Sequence, residues 1–180
     1  VALSSELFDA LAETKTPQDL IGVFARPRHE LKEIFAASSG PVVVLDGVQD
    51  PGNVGTIVRL AAAFECAGVL LLPGCADAYS QKAVRSSAGA ILRVPVAAAK
   101  ARDLAEAQLP VFAADAGGTP IDPPARRAII VFGSEGSGVS GEVRRMATLI
   151  RIPISDRVES LNVAASAAIL LARSYALRGE

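Results

Sequence analysis

From Pro41 onward the chain alternates between short, unbroken apolar runs and longer mixed segments. The clearest run is Val42-Val43-Val44-Leu45. Consecutive β-branched residues suit a strand covered on both faces, as in a parallel sheet. Similar runs predict strands over residues 68–72, 91–96, 111–114, 128–132 and 149–154. The segments between them predict helices over 53–64, 80–87, 99–107, 140–147 and 160–177. Such alternation means an α/β fold, a mainly parallel sheet with helices on both faces. Gly117-Gly118-Thr119-Pro120 and Asp122-Pro123-Pro124 mark a loop. Pro153, within Ile152-Pro153-Ile154, ends the last strand. Ser160 is the expected N-cap of a final helix that stays apolar on nearly every face through Leu171.

Residues 1–38 lack this rhythm. They predict a helix over 4–12, a strand over 20–25 and a second helix over 28–37. The segment is too small for a core of its own. It reads as the end of a preceding domain or a linker, with 39–180 as the principal domain.

Composition narrows the picture. The chain has 180 residues, 51% of them hydrophobic, enough for one domain with a large core. A formal charge of -1 gives no strong global pull toward nucleic acid or an anionic membrane. Arg far outnumbers Lys, which suits forked contacts to phosphate but equally reflects a GC-rich genome. Cys66 and Cys75 form no CxxC pair and are expected as free thiols in a reduced compartment. His29 is the only histidine, so neither a zinc site nor a histidine-based triad is expected, and no metal is assigned. No apolar run reaches the ~20 residues that span a bilayer.

Ligands of open α/β sheets bind outside the carboxyl ends of the strands. Three such ends carry unusual sequence. After 42–45 comes Asp50-Pro51-Gly52-Asn53-Val54-Gly55, with Arg59 six residues beyond Asn53. Asn53 alone could be an N-cap and Arg59 alone a surface ion pair, but a charged Arg within an apolar stretch stands out. After 128–132 comes Gly133-Ser134-Glu135-Gly136-Ser137-Gly138, a glycine-rich loop with one carboxylate. It lacks the Lys of a Walker loop, and its spacing does not fit the dinucleotide fingerprint, which argues against a dehydrogenase. The third is the tail Ile152-Pro153-Ile154 followed by Ser160-Leu161-Asn162-Val163.

In this order the three motifs resemble those of the SpoU/TrmH family of RNA ribose 2′-O-methyltransferases, within the SPOUT superfamily. The resemblance runs from about Pro41 to about Arg173, and Arg85-x-Ser87-x-Gly89-Ala90 is similar to the family's connecting region. It implies a C-terminal deep trefoil knot, which periodicity would not suggest. It implies S-adenosylmethionine as cofactor, held by main-chain groups at Gly133, Ile152 and Leu161. It implies ribose 2′-hydroxyl methylation of RNA, ribosomal RNA first, with transfer RNA or an inactive knotted binding module as alternatives. Arg59 would be the base, or the holder of an RNA phosphate and the developing alkoxide, with Asn53, Glu135, Ser160 and Asn162 orienting it and the ribose. The family also implies a homodimer with the site built across its interface, a cytoplasmic location, and residues 1–38 as the remnant of an N-terminal RNA-binding domain.

Overall fold

The computed structural model describes residues 2–12, 19–37, 40–120, 123 and 127–177. Its centre is β1 (Val42–Asp46), buried along its whole length. The residues of β1 divide between two cores: Val43 and Leu45 face one, Val42 and Val44 the other. The neighbouring strand β5 (Ile129–Gly133) divides the same way, with Ile130 and Phe132 on one side and Ile129 and Val131 on the other. Side chains alternate across a strand, so an unbroken apolar run is what a two-sided core requires.

Four further strands complete the sheet: β2 (Gly68–Leu71), β3 (Val96–Ala98), β4 (Val111–Thr119) and β6 (Thr148–Ile150). The order is β3-β2-β1-β5-β4-β6, and every pair is parallel. One face is covered by α3 (Pro51–Ala63) and α7 (Val163–Ala176), which pack on each other, and by α4 (Gln81–Ser86), which packs on α3. The other face receives α2 (Leu31–Ala36), α5 (Ala101–Glu106) and α6 (Gly141–Met146). The expected α/β class with a parallel, double-covered sheet is the fold observed.

Several boundaries differ, each for a local reason. Residues 20–25 form no strand; Leu20, Val23 and Phe24 are exposed because no strand lies alongside to pair with them. Residues 91–96 open as a 3-10 turn (Ala90–Leu92) launched by left-handed Gly89, φ +83°, and pairing with β2 starts only at Val96. The glycine pair 117–118 is not loop but part of β4, whose register on β6 jumps from Ala114↔Ile150 to Thr119↔Ile150. Asp122 and Pro124 of the expected loop lie outside the described residues. The last strand stops at Ile150, four residues short of its predicted end. Beyond Arg151 N–H, which donates to Thr119 O at 2.8 Å, no ladder continues, and Pro153 has no N–H to offer.

At the amino end, the expected helix over 4–12 is α1 (Ser5–Leu11), capped by Ser4 and without buried residues. Ile34 of α2 anchors the segment, 2% exposed within the second core. Arg26 fastens the extended stretch before it: its guanidinium lies 4.3 Å above the Tyr79 ring and pairs with Asp77 at 3.3 Å.

Gly55 sets how closely α3 and α4 approach. A Cβ there would lie 2.1 Å from Ala83 O and 2.8 Å from Ser86 Cβ. Neither neighbour is a flexible chain end, so the helices must separate. Gly55→Ala should therefore lower unfolding free energy by roughly 2–3 kcal/mol. Urea unfolding with an unchanged m-value checks this; a stability equal to wild type would show that the helix pair is not tightly packed.

Candidate active site

Because all six strands are parallel, their carboxyl ends share one edge of the sheet. The chain leaves β1 toward β2 and arrives at β5 from the opposite side, so the switch point lies between β1 and β5. Asp46 and Gly133 sit opposite each other there. Asp46 is 8% exposed and accepts a 2.6 Å hydrogen bond from Ser140 N, tying the end of β1 to the segment after β5.

The first motif opens α3, but Asn53 is not its cap. Asp50 is: Oδ1 accepts from Gly52 N at 3.1 Å, and Pro51 occupies the first turn, where its missing N–H does no harm. Lys82 Nζ meets the same Asp50 oxygen at 2.5 Å. Asn53 is thereby free to reach outward. Its Nδ2 donates to Glu135 Oε1 at 2.5 Å, and its Oδ1 accepts from Asn162 Nδ2 at 3.3 Å. Asn162 Oδ1 accepts from Ala164 N at 2.9 Å and Ala165 N at 3.3 Å, so Asn162, not Ser160, caps α7.

These bonds fix one another's direction. The N–H groups of α7 can only donate, so the Asn162 oxygen must face them. Its NH₂ then points at Asn53, whose oxygen must accept and whose NH₂ must donate onward to the carboxylate of Glu135. Three segments widely separated in sequence, one from each motif, are joined in a single polar relay.

The glycine-rich loop closes tightly on its own strand. Ser134 and Gly138 exchange two 3.0 Å backbone bonds. A Cβ on Gly133 would lie 2.1 Å from Gly138 C and 2.3 Å from Val139 N. The loop borders a cleft of about 680 Å³. Gly133, Glu135, Ile152, Ser160 and Leu161 all line it. Asn53 and Asn162 stand beside it through Glu135. Arg59 does not line the cleft: it is exposed on α3, and among the described residues it makes no hydrogen bond or ion pair.

The cleft also holds side chains that the motifs do not contain. Asp115, at the end of the apolar part of β4, pairs with Arg144 of α6. An acid directly after a strand-forming run, before Gly117-Gly118, was the available signal. Cys75 donates its Sγ–H to Leu45 O at 3.1 Å, and burial pushes its thiol pKa up, which makes it a poor nucleophile. Among the described residues neither Cys66 nor Cys75 forms a disulfide. Among the described residues no group of three His, Cys, Asp or Glu could hold a metal. No described helix is long and apolar enough to cross a membrane.

A parallel sheet whose glycine loop and carboxyl-terminal tail border one cleft at its switch point is the form of an α/β ligand-binding domain. The model of the SpoU rRNA Methylase family matches residues 40–172, and the chain belongs to that family. It is 35% identical to the 23S rRNA (guanosine(2553)-2'-O)-methyltransferase RlmP of Bacillus subtilis, across 98% of this chain and 71% of the relative. It is 36% identical to an uncharacterized tRNA/rRNA methyltransferase of Mycobacterium avium, across 83% of this chain but only 52%, about half, of that relative. The crystal structure of an AdoMet-bound rRNA methyltransferase from Sinorhizobium meliloti superposes with a TM-score of 0.87 at 29% identity, covering 95% of this chain and 69% of that one.

Two outcomes follow from this geometry. Asn162→Ala removes the α7 cap and should lower stability by about 1 kcal/mol, read from urea unfolding. No loss would mean another group caps the helix. The carboxyl of Asp50 is held below its ordinary 3.8, first by the Lys82 hydrogen bond and then by Gly52 N–H. A depressed carboxyl stabilises the fold above its unfolded pKa, and that contribution is lost as pH falls through the folded value. Lys82→Met should move the Asp50 titration upward, followed by carboxyl-carbon NMR; an unmoved titration would show that Lys82 does not set it.

Proposed function

We propose that this chain is the catalytic domain of an S-adenosylmethionine-dependent RNA methyltransferase that modifies a ribose 2′-hydroxyl, with ribosomal RNA as substrate. The observation that carries the reading is the relay of Glu135, Asn53 and Asn162 beside a cleft built from the glycine loop and the tail. Membership of the SpoU family and the AdoMet-bound neighbour support it.

The cofactor fits the residues present. Gly133 lines the cleft without a side chain, and the place of its missing Cβ is taken by the Gly138 and Val139 backbone, so the loop folds tightly back beside the cleft and its main chain forms the wall. Ile152 and Leu161 offer apolar walls and backbone polar groups, with no cation among the three to oppose a sulfonium. When bound, S-adenosylmethionine supplies the methyl group. Glu135, fixed in place by Asn53, and Ser160, exposed at the cleft, would orient the ribose. Holding the reacting groups in line is the larger part of such catalysis.

A guanidinium offers donors and no acceptor, so the role of Arg59 is to hold an RNA phosphate and stabilise the developing alkoxide. Its position off the cleft is explained by a homodimer in which the second copy's Arg59 completes the site. The surface where α3 meets α7 suits such a contact: the Phe64 and Tyr175 rings lie 6.0 Å apart there, and Tyr175 and Leu177 are each 40% exposed. The same reading assigns a cytoplasmic location, a knot formed by the tail, and residues 1–38 as the link to an N-terminal RNA-binding domain. The exposed Leu20, Val23 and Phe24 fit a segment that meets something beyond this domain.

Methyl-labelled cofactor incubated with the protein and total RNA should place label on a ribose of large-subunit ribosomal RNA. Label confined to transfer RNA would correct the substrate, and no label in any RNA would defeat the enzyme reading. Arg59→Ala should cut transfer by roughly a hundredfold or more while leaving cofactor affinity unchanged. Equal turnover would remove Arg59 from the mechanism. Light scattering at micromolar concentration should return the mass of two chains; one chain's mass would contradict the shared site.

A further inference from the structure

The cleft contains a part-buried ion pair that the relay does not use. We infer that Asp115, locked in orientation by Arg144, receives the ribose hydroxyls of the cofactor's adenosine. The inference rests on the reading of the cleft as the S-adenosylmethionine site.

Three acids line the cleft: Asp115, Glu135 and Glu159. Glu135 is committed to Asn53, and Glu159 is exposed on the loop before Ser160. Asp115 is different. Its side chain is only 11% exposed, against 48% for its partner Arg144. Both carboxylate oxygens are held: Oδ1 accepts from Gly117 N at 2.9 Å, and Oδ2 accepts from Arg144 Nη2. Each oxygen keeps a second acceptor site. A largely desolvated carboxylate fixed on one side and open to a ligand cleft is a pre-oriented acceptor.

The backbone reinforces this. The β4 register jump onto β6 falls between Ala114 and Thr119, which takes Asp115 out of the ladder. Bulges beside sites commonly re-aim a side chain, and here the re-aimed residue is the acid. A purely structural ion pair would gain little at this position, because Arg144 remains half in solvent while Asp115 bears the cost of burial. A ligand with two adjacent hydroxyl donors makes the arrangement productive. Acids that accept from ribose hydroxyls in other nucleotide sites use the same chemistry. Arg144 touches no ligand in this scheme; it is a positioning residue for Asp115.

Calorimetric titration with S-adenosylhomocysteine and its 2′,3′-dideoxy analogue tests the inference. Wild type should bind the dideoxy compound roughly tenfold to a hundredfold more weakly, as expected for hydrogen bonds to a charged group. Asp115→Ala should bind both compounds alike, and Arg144→Gln should shrink the difference, with partial recovery in Arg144→Lys. Should the Ala variant fail to fold, Asp115→Asn keeps the turn to Gly117 and must still reduce the hydroxyl preference. An undiminished preference in these variants, or equal binding of both compounds by wild type, overturns the inference and leaves the cofactor reading intact. A wild-type protein that binds neither compound overturns both.

Discussion

Five residues of β1 lie in register beside five of β5, and everything functional in this chain depends on that pairing. It joins sequence about ninety residues apart at the centre of the sheet, where both strands are buried up to the ends that meet the cleft. Parallel pairing then sends the loops after both strands to the same edge. The two crossovers leave in opposite directions, so the loops open a gap between them rather than closing it. The first two motifs owe their proximity to this and to nothing local.

The third motif enters by a different route. β6 lies at the sheet's outer edge, two strands from β5, and its chain must return toward the centre to reach α7 on α3. Beyond Arg151 the returning stretch carries no ladder bonds, and residues 151–154 and 158–161 line the cleft. Pro153 and the short polar loop prevent it from extending the sheet. Irregular backbone is costly inside a core but useful where a ligand can satisfy it. The cleft lining mixes Gly133, Ile152 and Leu161 with charged groups, among them the Asp115–Arg144 pair and Arg151.

Much of this was legible in the residues. Val42-Val43-Val44-Leu45 and the matching run at 129–132 could only be two-sided strands, and the three motifs stood at strand ends. Other features depended on partners the sequence does not reveal. Leu20, Val23 and Phe24 have strand character without a neighbour to pair with, and pairing is a property of the whole sheet. Asn53 and Ser160 are good cap residues, but Asp50 followed by Pro51 is a better start signal for α3, and Asn162 lies two residues nearer the start of α7. Asp115 carried only a weak signal, because one acid after a strand is ordinary until Arg144 and a bulge are placed beside it. Arg59 stood out as a charge in an apolar stretch, and it lies exposed on α3, away from the cleft.

Asn162 uses one oxygen to start the last helix and one nitrogen to complete the relay. Assembly of the site and nucleation of α7 are therefore a single event. During synthesis the sheet centre and both earlier loops emerge first. Until residues 163–176 follow, the growing chain holds both earlier loops but neither the third member of the relay nor the helix that completes the first core.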